Sequence, residues 1–311
     1  MKNTMNSKKK PLRAVADFLF WLQPKSIRES KKKVLSRSWF GTFLIFAFLA
    51  LIGIFMLLPV VYVVSTAFKP LSEILAYPPQ FFVRHPTWNN FSDLVEIAQS
   101  TWIPFERSLF NSLFIAVAGT VLYILIASMA AYPLAKNKSR YIGIYYQIVV
   151  LAILFRPEVT RTPLYIIISK MGLINSYYSL VFPILAGSFG VFLMRQFMVT
   201  VPNEMLEAAR VDGANEFICF WRLVMPLVRP AWMTLTIFTF KDLWNTGESQ
   251  YIYDEALKTL TAVMQSISKA GIARAGAGAA VALIIMIPPV VVFIISQSSV
   301  METMSCTGIK G

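Results

Sequence analysis

Six stretches of this chain are apolar over something close to the roughly 20 residues that a helix needs to cross a bilayer. They fall near Trp39–Phe68, Ser108–Ala135, Tyr141–Lys170, Tyr178–Val199, Ala231–Trp244 with its continuation, and Gly276–Gln297. In hydrocarbon every backbone N–H and C=O must be satisfied within the segment or by a closed barrel, so runs of this length are read as helices. The pattern predicts an all-α polytopic membrane protein with six transmembrane helices. Composition agrees: 56% of the 311 residues are hydrophobic and only 14% are charged, too apolar for a soluble domain of this size. The fifth stretch is the least regular, because Lys241 and Asp242 stand near its far end.

The net charge of +13 is unevenly distributed. Lys8, Lys9, Lys10, Arg13, Lys25, Arg28, Lys31, Lys32, Lys33 and Arg37 all precede the first apolar run. Such a cluster is a topology signal and a contact for anionic membrane lipid, not a nucleic-acid site, and it has no cleavable signal-peptide pattern. With the amino terminus inside, Lys136, Lys138, Arg140, Arg195, Arg210, Arg222, Arg229 and Lys310 fall on the same side. Both termini of this multi-pass chain are therefore expected in the cytoplasm. Residues 1–38 form a basic cytoplasmic extension, and residues 39–311 the transmembrane domain. Val15, Phe18, Leu19 and Leu22 recur at helical spacing in the extension; a surface-lying helix and a disordered tail both fit. Cys219 and Cys306 offer neither a disulfide framework nor a zinc pattern. His85 is the sole histidine and reads as a solvated loop residue.

The longest polar interruption after the first third is Thr200–Pro230. Pro202 suits the first turn of a helix, Glu204 to Arg210 are helix-compatible, and Asp212-Gly213 supplies a stop. A second helical stretch runs from Asn215 to Met225 and meets Pro226. The predicted unit is a helix, a glycine break and another helix at the membrane surface, about residues 200–230. On physics alone an ordinary cytoplasmic connection and a docking elbow are both open.

The third apolar stretch carries Arg156, Glu158 and Arg161 with Pro157 and Pro163. Charge at that depth is costly unless paired or wetted, and the prolines predict local unwinding. An internal Arg–Glu pair fixing a bend is one reading; the other is an arginine lining a pathway, its fork of donors matched to a carboxylate. Between the first two spans, about Lys69 to Arg107, lies a turn-rich connection with Trp88 and Trp102, read either as a binding surface or as interfacial anchoring.

Glu207-Ala208-Ala209, Asp212-Gly213-Ala214, Leu223 and Pro226 resemble the EAA loop of ABC-importer permeases. Further stretches are similar to the maltose-type (oligosaccharide) branch of that family. They are Pro163-Leu164-Tyr165, Gly172-Leu173-Ile174-Asn175, Phe192 to Phe197, Trp244-Asn245, Thr259-Leu260 and the tail Gly308-Ile309-Lys310-Gly311. Before residue 160 the likeness is looser, in Phe68-Lys69, Asn90-Phe91 and Asn111-Ser112.

The resemblance implies a type I ABC-importer permease fold in which Glu207, Ala208, Ala209, Arg210, Asp212, Gly213 and Ala214 form a cytoplasmic coupling helix docking on an ATPase. It implies a second permease subunit, a cytoplasmic ATPase dimer and an extracytoplasmic solute-binding protein. ATP and Mg would be bound by the ATPase, with no cofactor and no catalysis in this chain. The substrate pathway is expected at Arg156, Glu158, Arg161, Tyr165, Trp244 and Asn245. Arg156, Glu158 and Arg161 stand where the family usually has small or apolar residues, and the long basic extension is similar to members linked to plant or algal polysaccharide fragments. These two departures point to an oligosaccharide carrying uronic acids, with a neutral maltodextrin-like sugar as the alternative.

Other classes fit less well. An integral-membrane enzyme needs a nucleophile–base or metal set, and neither H-E-x-x-H nor G-x-S-x-G is present. No G-x-x-x-x-G-K-[ST] occurs, as expected when the ATPase is a separate chain. A stand-alone carrier stays open on hydropathy but leaves the EAA-like loop without a role.

Overall fold

The computed structural model describes residues 39–100, 105–137, 139–155, 157–247, 250–268 and 274–307. The basic extension, Trp102, Lys138, Arg156 and the Gly308–Gly311 tail lie outside the described residues. The regular elements among those described are all helical. They are α1 Trp39–Ala67, α2 Leu71–Ile74, α3 Asn89–Ser100, α4 Phe105–Lys136, α5 Arg140–Ile153, α6 Pro157–Lys170, α7 Tyr178–Leu185, α8 Ser188–Thr200 and α9 Asn203–Val211. There follow α10 Glu216–Leu227, whose middle turn is π-helical, then α11 Arg229–Trp244, α12 Leu260–Ser268 and α13 Ala275–Thr307.

Three stretches are continuous, long and apolar enough to cross a membrane: Trp39–Ala67, Glu106–Lys136 and Ala275–Gln297. The other three expected spans are broken pairs. The pair α7 and α8 bends by 41° and the pair α10 and α11 by 76°. Counting each pair as one span gives up to six.

The breaks follow from local chemistry. Leu154 ends α5, and Pro157, which has no N–H and restricts the residue before it, opens α6. The unwinding expected around both prolines falls only before Pro157, since Pro163 stays inside α6. Gly187, extended at φ −65° and ψ 116°, separates α7 from α8. The fifth span differs most from expectation: α11 begins at Arg229 and stops at Asn245 without a helical continuation. Its sixteen residues are extended instead by α10, across a corner at Val228 flanked by Pro226 and Pro230.

The chain divides into two compact units. The described part of one comprises residues 39–55 and 297–307. In its first segment the large apolar side chains are exposed, Trp39 and Phe40 among them, as lipid-facing residues are. The other unit, Met56–Ser296, holds both candidate sites.

Within this second unit α4 is central. Its small, fully buried Ala116, Ala127 and Ala131 let neighbours approach closely. One core cluster gathers Ile115, Leu243, Trp244, Leu260 and Met264. A second gathers Met194, Met198, Leu206, Cys219, Val224 and Leu235. Cys219 is buried there as a small apolar residue.

The 68–88 connection is also specifically built. The Lys69 ammonium is buried and donates to the Gln80 and Phe81 carbonyls. Asn90 donates to the Ala67 and Lys69 carbonyls at 2.8 and 2.7 Å. His85 is exposed, as expected.

Candidate functional site

The helix–glycine–helix unit forms as the spacing predicted. Pro202 precedes α9 in an extended conformation. Asn215 accepts the Ile218 N–H at 2.9 Å and so caps α10. Between the two helices, Gly213 has φ +88°, a left-handed conformation that costs a residue with a Cβ about 1–2 kcal/mol. The Ala214 N–H reaches the Ala209 carbonyl at 2.9 Å and the Gly213 N–H reaches the Arg210 carbonyl at 3.0 Å, the paired bonds of a Schellman stop.

Leu206 anchors α9 in the core with 2% of its surface exposed. Anchoring by that face turns Glu207, Ala208, Arg210, Asp212 and Gly213 outward, with Ala209 and Ala214 half-buried. Val211 and Phe217 are exposed beside them, 88% and 69%. An apolar and charged ledge with small residues at its centre is therefore left uncovered. Arg210 donates from Nε to Glu216 Oε1 at 2.8 Å, an exposed pair that links the two limbs of the elbow.

The second site is a cavity of about 950 Å³ among α4, α5, α6, α7, α8 and α11. Glu158 and Arg161, three residues apart and so on one side of α6, both line it. Asp242 and Phe238 face it from α11, and Tyr251 from the segment after it.

Arg161 also lines a smaller adjoining pocket with Gln250 and Tyr251, and its Nε donates to Gln250 Oε1 at 3.2 Å. Tyr165 stacks on Tyr251 with centroids 6.0 Å apart, and its hydroxyl lies 3.4 Å from that of Tyr253. The segment bearing these tyrosines is held by Asn175, which sits at φ +61° and accepts the Tyr253 and Asp254 N–H groups at 3.1 and 2.8 Å.

On the cavity's other wall the Tyr123 hydroxyl donates to the Gly187 carbonyl and accepts the Gly190 N–H, both at 2.8 Å. The hydroxyl thereby satisfies backbone groups freed where α7 and α8 part.

The structure thus brings Glu158, Arg161 and Tyr165 together and separates the remaining expected pathway residues. Trp244 is 1% exposed, in the core, with its indole N–H on the Ile285 carbonyl at 2.9 Å. Asn245 lines a different cavity of about 490 Å³ with Gln265 and Pro289. Arg156 falls outside the described residues. Sequence reading missed Asp242 as a wall residue, although its charge at the end of an apolar stretch was the available signal. Tyr251 on the cavity wall and Gln250 in the adjoining pocket gave no such signal, because they sit in a polar connection that the Asn175 turn holds in place.

No protein-family model matches the chain. The sn-glycerol-3-phosphate transport system permease protein UgpE of Yersinia enterocolitica is 30% identical over 257 residues, covering 79% of this chain and 90% of that protein. The chain belongs to the carbohydrate ABC-importer permease family. The permease is also 28% identical over 211 residues to the polygalacturonan/rhamnogalacturonan transport system permease protein YtcP of Bacillus subtilis, covering 68% of this chain and 71% of that one. Its fold matches a crystal structure of a bacterial ABC transporter involved in the import of the acidic polysaccharide alginate. The TM-score is 0.72 at 20% identity, with 85% of this chain and 99% of the other covered. The permease is accordingly a helical membrane subunit of an ABC importer, not an enzyme.

Proposed function

We propose that this permease carries an acidic, uronate-bearing oligosaccharide across the cytoplasmic membrane by alternating access, driven by ATP hydrolysed on a partner chain. The observation that carries the substrate reading is Arg161 on the wall of the 950 Å³ cavity beside the Tyr165–Tyr251 pair. A guanidinium takes a carboxylate through two parallel donors. An aromatic face takes the apolar face of a sugar ring. The alginate importer and YtcP, whose names give acidic polysaccharides, support the same reading.

A neutral maltodextrin-like sugar is the second reading. It is favoured by the carboxylates of Glu158 and Asp242 in the same cavity, which repel an anion.

The outward ledge of Glu207, Ala208, Ala209, Arg210, Asp212, Gly213 and Ala214 serves as the coupling helix. It docks on a cytoplasmic ATPase dimer that holds ATP and Mg. A second permease subunit completes the pathway, and an extracytoplasmic solute-binding protein delivers the sugar. Both termini then face the cytoplasm.

The test is uptake by the complete transporter carrying Arg161→Ala. The acidic reading expects uptake of a charged oligosaccharide to fall about tenfold, the scale of one charge-assisted hydrogen bond, with neutral uptake little changed. Equal loss for both sugars would contradict it.

A further inference from the structure

The coupling elbow is tied to a single face of α4 at two points. At its entry, the Lys136 ammonium donates to the Val201 carbonyl and, at 3.3 Å, to Asn203 Oδ1. At its far limb, the Tyr132 hydroxyl donates to Glu216 Oε2 at 2.8 Å. Tyr132 and Lys136 are four residues apart, one turn of the same helix face. Glu216 is shared, because its other oxygen takes the Arg210 Nε–H from α9. One carboxylate therefore joins α4, α9 and α10. The Tyr132 ring also meets Phe220 edge-on at 5.5 Å, so the tyrosine is held by packing as well as by its hydroxyl.

The same helix reaches the cavity. Tyr123, nine residues earlier on α4, lines that cavity and bonds both glycines at the α7–α8 break. Displacement of α9 has two stiff connections into α4, and α4 has one into the wall where two helices part.

We infer that Tyr132, Glu216 and Lys136 are positioning residues that carry movement of the coupling elbow into α4, and through Tyr123 to the α7–α8 break. The inference rests on the reading of α9 as the docking element. Charge-assisted bonds suit the task because they resist both lengthening and rotation.

The test uses the complete reconstituted transporter and reads substrate moved per ATP hydrolysed. Tyr132→Phe removes only the hydroxyl and keeps the ring on Phe220. The expected result is unchanged basal ATP hydrolysis and unchanged complex yield, with transport per ATP down about tenfold. Glu216→Gln should fall likewise. The double variant should be no worse than the worse single one, since the two act as one unit. Unaltered transport per ATP in Tyr132→Phe, or additive losses in the double variant, overturns the inference. Lys136→Met cuts the entry contact separately. If both it and Tyr132→Phe lower the yield of complex, the contacts hold the fold and the inference also fails. Gly213→Leu separates the two levels: normal transport there refutes docking by α9 itself, while uncoupling there with normal Tyr132→Phe refutes only the relay.

Discussion

Gly190 shows how one missing side chain builds a site. A Cβ there would stand 2.6 Å from the Tyr123 hydroxyl and 2.7 Å from its ring, so the hydrogen bond from Gly190 N–H to Tyr123 exists only because nothing projects between them. Gly190→Val is expected to destabilise the protein by about 1–3 kcal/mol, the usual cost of overpacking, read as a lower melting temperature in detergent. Gly143→Ala, with no atom within 4 Å of the added carbon, should cause no loss. Single residues also explain why some motifs were legible in sequence without being understood. Asn111 and Ser112, quoted only for their likeness to a family, prove to be buried anchors. Asn111 Nδ2 donates to the Ala256 and Lys258 carbonyls at 2.9 and 3.1 Å, and Ser112 accepts the Leu260 N–H at 2.7 Å. These partners lie some 145 positions downstream, beyond the reach of any local pattern.

At the scale of elements, what was readable depended on whether the signal was local. The α9–glycine turn was readable, since caps, a left-handed glycine and helix-compatible residues act within a few positions, but the π-helical turn of α10 and its run past Pro226 to Leu227 were not. The broken spans were only half readable: prolines announced a break before α6 and flank the corner at Val228, but that α10 joins α11 there as one bent span shows only in the structure, where Val224, Val228 and Leu235 share one core cluster. The α2 region makes a separate prediction. The Glu73 carboxylate accepts the Arg84 and His85 N–H groups at 3.1 and 2.8 Å, and these bonds, with nearby positive charge, hold its carboxyl below the ordinary value of 4.5. The protonated form is therefore disfavoured in the folded loop. The order it contributes is present above the ordinary carboxyl value and is lost as pH falls through the lowered one. Hydrogen exchange at Arg84 and His85, corrected for intrinsic rates, should accelerate on acidification below 4.5. Glu73→Gln should weaken that acid-dependent step, and an unchanged profile in the variant would assign the protection to other groups.

For the whole molecule, hydropathy predicted the helical membrane class, and relatives place the chain among ABC-importer permeases. Neither fixes which face meets the motor. The proposed docking face is the outward ledge of an anchored α9, with a charged node reaching back into α4. It requires the elbow and the 68–88 connection to lie on opposite sides of the membrane. Tyr77, 94% exposed in that connection, is the natural comparison for Ala208 on the ledge. The most direct measurement places a photo-crosslinking residue at Ala208 or at Tyr77 in membranes holding the complete transporter and identifies the captured chain. The account predicts a nucleotide-hydrolysing subunit at Ala208 and none at Tyr77. Capture of that subunit from Tyr77, or its absence at Ala208 in an active transporter, would contradict it.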